Sequence, residues 1–173
     1  MHRAAIVLSL AATAVLAAAC GGGHAAHPAD PNTTIDVTGS IGGIHARESR
    51  AAVERVLGPG RTISTVTHRP RTGTITLRRV RYAASGLLVV YVQSPGRPQW
   101  VFGVFTSDSR YRTASGLGVG SPLVKARGTP GVRCYDQKAY VACQGGLGYE
   151  KPIVSFTVRS GRVVRVFMAA VAD

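Results

Sequence analysis

The sequence predicts an α+β fold: a tandem repeat of a short helix plus a small antiparallel sheet, placed after a signal peptide and a disordered tether. Three observations carry this. Residues 49–58 form a capped amphipathic segment, four β-branched and apolar runs separated by turn residues follow it, and at residues 116–126 the order begins again. The expected organisation is a leader at 1–19, a modified cysteine with its tether at 20–36, a first repeat at 37–106 and a second at 107–173. A chain of 173 residues with 45% hydrophobic content can supply a packed core on this plan.

Met1, His2 and Arg3 make a short basic start, and residues 4–19 run apolar without a charge, the pattern of a secretory signal peptide. In a helix those residues reach about 24 Å, short of the roughly 30 Å hydrocarbon core, so a cleaved leader fits better than a permanent span. Ala17, Ala18 and Ala19 suit a signal peptidase. The chain has three cysteines. In an exported, oxidising setting Cys134 and Cys143 are close enough in sequence to pair, which leaves Cys20 as the odd one, beside the cleavage site. From Gly21 to about Asn32 the chain is Gly, Ala, His, Pro and Asp, too poor in apolar groups to order itself. His24 and His27 lack a third ligand on this tether, so no metal site is expected.

Cys20 followed by Gly21, Gly22 and Gly23 resembles the lipobox and flexible tether of bacterial lipoproteins. Ala17 stands where that family usually carries leucine, with Leu16 one step earlier. The resemblance implies a lipid on Cys20 and anchoring at the outer face of the cytoplasmic membrane. The alternative is ordinary cleavage after Ala19, a free thiol at Cys20 and a secreted protein.

The formal net charge is +13, and removal of residues 1–19 takes away Arg3 alone among the counted charges, leaving +12. Such a field favours polyanions, which outside a bacterial membrane are anionic lipid headgroups and wall polymers. Nucleic acid is disfavoured by compartment, and no aromatic-interleaved platform for RNA is present. The simpler reading of the charge is arginine spread over solvated strand faces.

In the first repeat Ser49 is a suitable N-cap, Val53, Val56 and Leu57 share a helical face, and Gly58 and Pro59 end the helix. Arg50 and Glu54 form an i,i+4 pair on its exposed side. Strands are expected at 62–67, 73–82, 87–93 and 99–106, with the turn at 94–98 closing the last two as an antiparallel hairpin. In the second repeat Ser121 is the expected cap and Pro122 the first helical position. Strands are then expected at 132–135, 139–143, 153–158 and 162–169, with Arg159, Ser160 and Gly161 as a second hairpin turn. Ile44 precedes its capping serine by five residues and Leu117 precedes Ser121 by four, and the two closing hairpins correspond.

Ile44 through Gly58, an isoleucine, a turn, a Ser cap, an amphipathic helix and Leu-Gly, resemble the small outer-membrane-assembly lipoproteins, and the doubled layout resembles the β-lactamase-inhibitor-protein fold. These resemblances imply a non-enzymatic module that presents a sheet face to a partner protein. The chain departs from the inhibitor pattern in having one candidate disulfide rather than one per repeat, and no matching inhibitory loop.

The candidate chemistry is sparse. Residues 116–121 read Gly-Leu-Gly-Val-Gly-Ser, but without the Gly-Lys-Ser/Thr ending of a phosphate-binding loop they are expected to form a tight turn before a capped helix. Cys134 and Cys143 enclose eight residues, a spacing that suits a structural staple rather than a redox pair. The eight acids lie mostly in the tether, on the helix face or in turns, and only His45 with Glu48, or His68, offers a histidine base. No catalytic residue and no cofactor is therefore expected. The aromatic run Tyr91, Trp100, Phe102 and Phe105 reads as core or as a platform for a partner, and alternation sets Trp100 opposite in face to Val101 and Phe105. Arg69, Arg71, Arg78, Arg79 and Arg81 form a candidate basic patch.

The function expected is thus a membrane-anchored cell-envelope lipoprotein that binds an envelope protein or anionic wall polymer. The alternatives are a structural envelope protein lying against anionic lipid and, less favoured, an envelope hydrolase.

Overall fold

The computed structural model describes residues 33–69, 73–146, 148 and 151–170. The leader, Cys20, the tether histidines and Arg71 lie outside the described residues. Order begins earlier than the tether reading expects, because Ile35 is buried and its N–H donates to the Arg112 carbonyl at 2.8 Å. Three two-residue strands, β1 (Ile35–Asp36), β2 (Ser40–Ile41) and β3 (Ile44–His45), then fold back on one another as a small antiparallel sheet. They are too short to show a period in the sequence. Ile35, Ile41 and Ile44 all enter the core.

Helix α1 (Arg50–Leu57) forms as its caps predict: the Ser49 hydroxyl accepts from the Ala52 N–H, and Gly58 closes the helix at φ 75°. Arg50 and Glu54 pair at 2.8 Å. Val53 is buried, but Val56 is 56% exposed, so the apolar face is narrower than the sequence suggests.

The strand runs fall close to their expected bounds, as β4 (Arg61–His68), β5 (Ile75–Tyr82), β6 (Leu87–Gln93) and β7 (Trp100–Thr106). After helix α2 (Leu123–Arg127) come β8 (Arg133–Asp136), β9 (Val141–Gly145), β10 (Ile153–Arg159) and β11 (Arg162–Ala169). The link between β10 and β11 is a two-residue turn with Ser160 at φ 48° and Gly161 at φ 73°, the left-handed pair that matches the twist of a tight hairpin.

The tandem-repeat fold is corrected by how these strands associate. All eight form one antiparallel sheet in the order β4-β5-β6-β7-β11-β10-β9-β8. Residues 103–106 of β7 pair directly with 166–169 of β11, so the closing strands of the two halves hydrogen-bond to each other instead of ending separate sheets. The described residues are mostly antiparallel sheet with two short helices, not a helix-plus-sheet repeat. The physical reason is that two open four-stranded sheets would each expose an inner edge, and edge-to-edge pairing satisfies those backbone groups while merging the apolar faces into a single core. That core takes Val80, Tyr82, Val89, Tyr91, Val101 and Val104 from one half and Phe156, Val158, Val163, Val166 and Met168 from the other, with Val53 and Ala126 of the helices against them.

Helix α2 also departs from its expected start. Pro122 takes the N-cap position without a side-chain cap bond. The Ser121 hydroxyl serves the preceding loop instead, accepting from the Gly118 N–H at 3.1 Å and from Arg112 at 3.0 Å.

Candidate binding face

Because side chains alternate across a strand, the residues between the core positions form the second face of the sheet. Neither helix covers it. An open trough of about 1310 Å³ runs over this face, floored by Leu88 and Val90 of β6, Phe102 and Phe105 of β7 and Phe167 of β11. Leu77 and Val66 extend the apolar surface toward the β4 edge. Four arginines line the same trough: Arg79 and Arg81 on β5, Arg159 on β10 and Arg165 on β11, with His68 at the end of β4. All four are exposed, and none forms an ion pair with a described residue. Among the described residues, no carboxylate lines the trough.

Register explains how the floor is built. Arg81 stands opposite Leu88, Leu88 opposite Phe105, and Phe105 opposite Phe167, one row across four strands. Phe105 and Phe167 stack with ring centroids 5.5 Å apart. A β-bulge between Val90 and Tyr91 on one side and residues 101–103 on the other inserts one extra residue into β7. The bulge corrects the expected alternation: Trp100 pairs with Val92 and Phe105 with Leu88, and since Val92 and Leu88 share a face, Trp100 and Phe105 lie on the same side. Trp100 is half-buried, with its ring 6.3 Å from that of Phe102, at one end of the aromatic row. Tyr91 belongs to the opposite, helix-covered face and is fully buried.

The candidate arginine patch is split by the same alternation. Arg79 and Arg81 reach the trough, whereas Arg78 falls on the other face, opposite Tyr91 in register, with its Nε buried and lacking a partner among the described residues. Arg69 is exposed just past the end of β4. Sequence reasoning missed Arg159 and Arg165, which lie some eighty residues away along the chain. Their signal was present as the i,i+2 spacing of Arg165 and Phe167, the same arrangement as Arg79 and Arg81, but nothing local says that β11 lies two strands from β6.

Beneath the covered face, the Tyr82 and Tyr91 hydroxyls hydrogen-bond at 2.7 Å, with the Arg50 guanidinium 5.9 Å from the centre of the Tyr91 ring. Burial pushes both phenols above their ordinary range, and the hydrogen bond they share raises Tyr91 further while partly offsetting the shift of Tyr82. Arg50 is held above its usual value by the hydrogen bond to Glu54. These contacts tie α1 to the sheet.

Elsewhere the candidate chemistry resolves into structure. Cys134 and Cys143 are disulfide-bonded across the β8–β9 ladder, with S–S 2.09 Å. In the Gly-rich loop at 116–121, the amides of Gly116, Leu117, Gly118, Gly120 and Ser121 all donate within the protein, so the loop has no cradle of free N–H groups to offer a phosphate. His45 sits on β3 in the small sheet and His68 on the trough edge, each apart from the other. Among the described residues no three or more His, Cys, Asp and Glu converge, and no helix is long and apolar enough to cross a membrane.

No protein-family model, curated protein or solved structure matches this chain. What the site can do therefore rests on its own geometry: broad apolar contact beside cations whose charge is not met by the described residues.

Proposed function

We propose that the protein is a membrane-anchored lipoprotein of the cell envelope whose folded part is a non-enzymatic binding module, taking an anionic partner on the uncovered face of its sheet. The carrying observation is a trough lined by no carboxylate among the described residues, in which four exposed guanidiniums, with no ion-pair partner among those residues, stand beside a floor of aromatic and aliphatic side chains. A partly exposed apolar surface of this kind gains by being covered, and positive charge that the described residues leave uncompensated attracts a negative surface. The lipobox-like sequence at Cys20 supplies the anchor, and the likeness of residues 44–58 to small outer-membrane-assembly lipoproteins agrees with a role in binding. A purely electrostatic attachment to lipid is less favoured, because among the described arginines of the sequence-adjacent patch Arg78 departs to the face opposite Arg79 and Arg81.

The test is site-specific photo-cross-linking in the native envelope. A cross-linking residue at Val164, exposed at the trough, is compared with one at Val124, which is 76% exposed on α2. Adducts from Val164 alone are expected; equal adducts from both, or none from Val164, overturn the reading.

A further inference from the structure

Resting on that reading of the face, we infer that the occupant of the trough is a polypeptide: an amphipathic helix of another protein, apolar along its crest and carrying carboxylates on both flanks, staggered by about one turn. The inference comes from where the arginines stand relative to the floor. Arg79 and Arg81 lie on β5, Arg165 on β11, and the two strands between them, β6 and β7, carry Leu88, Val90, Phe102 and Phe105. Three strand spacings separate the rows, about 14 Å. A helix with its side chains is about 10–12 Å across, so it fits between the rows with its crest on the floor.

The rows are also offset along the strands. Arg81 shares a row with Leu88, Phe105 and Phe167, whereas Arg165 is two residues before Phe167, about 6.6 Å toward the Ser107 end. Arg79 is displaced by two residues the other way. The offset between Arg81 and Arg165 is close to the roughly 5.4 Å pitch of a helix, so acids on opposite flanks one turn apart meet both.

Other anionic occupants match less of this pattern. A lipid has its charge at one end and would leave one arginine row unmet, and an acyl chain gains most in an enclosed cavity, whereas this trough is open. A wall polymer has charge but no apolar crest for the phenylalanines. The trough volume of about 1310 Å³ also exceeds the roughly 300–1,000 Å³ of small-molecule sites. The free β4 edge is a poorer docking element than the face, because a bulge at Thr62–Ser64 interrupts its pairing register and so blunts it.

The chain's single tryptophan, Trp100, lies outside the trough lining but 6.3 Å from the Phe102 ring that floors it, so its fluorescence is expected to respond to occupancy. The full chain in detergent is titrated with three synthetic helices of about twenty residues that share a Leu/Phe crest. One has Glu on both flanks, one has Glu on a single flank and Lys replaces Glu in the third. Phosphatidylglycerol vesicles form a fourth arm. The two-flank acidic helix is expected to bind at least about tenfold more tightly than the single-flank helix, and Arg81→Glu and Arg165→Glu each to weaken it by a similar factor. Both arginines are exposed, so circular dichroism should show the fold intact in each variant.

Equal affinity for one and two flanks, or indifference to both substitutions, overturns the inference. Vesicle binding that depends on Arg81 and Arg165, with no peptide binding, overturns it too but leaves the face a binding surface. The reading of the face itself is tested separately, by the Val164 cross-linker: no adduct there overturns that reading whatever the peptides do.

Discussion

Phe105 and Phe167 stack across the β7–β11 ladder, with ring planes 16° apart, at the one seam where the two halves of the chain hydrogen-bond into a single sheet. The contact therefore has two roles, holding the seam and flooring the trough. Phe167→Ala should lower stability by about 2 kcal/mol, less than for a fully buried phenylalanine because the ring is half-exposed. A double-mutant cycle with Phe105→Ala should return a coupling of about 0.5–1.5 kcal/mol in urea denaturation. A cycle that closes near zero would mean the rings merely lie side by side.

Burial of the Tyr82 and Tyr91 phenols should set an alkaline limit to stability. Both phenols have raised pKa in the folded state, so their contribution is fully present below the unfolded value near 10 and is lost as pH rises from there through the folded values. In a spectrophotometric titration these two tyrosines should ionise only as the protein unfolds. Tyr82→Phe leaves the buried Tyr91 hydroxyl without that partner and should cost about 1–3 kcal/mol at neutral pH. Ionisation of all six tyrosines in a single step near pH 10, with the fold retained, would contradict this.

Reduction of the Cys134–Cys143 bond should destabilise the protein by about 2.5 kcal/mol on a loop-closure basis. The loss should be local first, because β8 is an edge strand paired only with β9. Amide exchange at 133–136 should accelerate on reduction while the amides of β6 and β7 stay protected; uniform acceleration would show that the staple holds the whole sheet.

Gly118 packs so closely on Tyr111 that an added Cβ would collide with the Tyr111 carbonyl oxygen. Gly118→Ala should therefore lower stability by about 1–3 kcal/mol, measured by thermal melting, despite its small size. Gly131→Ala, where a Cβ meets open space but the backbone lies at φ 77°, should show only the smaller cost of the left-handed conformation, on the order of 1 kcal/mol.

Cys20→Ala should abolish metabolic lipid labelling and release the protein into the medium. Unchanged fractionation would refute the anchor and leave the folded module's binding face unaffected.

Much of the local structure was legible in the sequence. Ser49 and Gly58 mark α1 because caps act through adjacent backbone groups. The eight long strands are readable because a half-buried strand writes its period into consecutive residues. The small β1–β3 sheet was not, since two-residue strands have no period, and Ser121 misled because its hydroxyl is engaged by Gly118 and Arg112. The candidate site was half legible. Arg79, Arg81, Trp100, Phe102 and Phe105 stand out in local patterns, whereas the face of Arg78 and the places of Arg159, Arg165 and Phe167 depend on strand pairing that no local pattern carries.

The sequence by itself determined the ends of α1, the strand runs, the hairpin turns and the pairing of two cysteines, all set by interactions within about ten residues. Only the tertiary structure decided that β7 joins β11, that a bulge turns Phe105 to the side of Trp100, and that arginines eighty residues apart flank one floor. The reason is physical: any two unpaired strand edges can hydrogen-bond, so the choice of partner depends on how the merged sheet buries its core, and no short stretch of sequence records that sum.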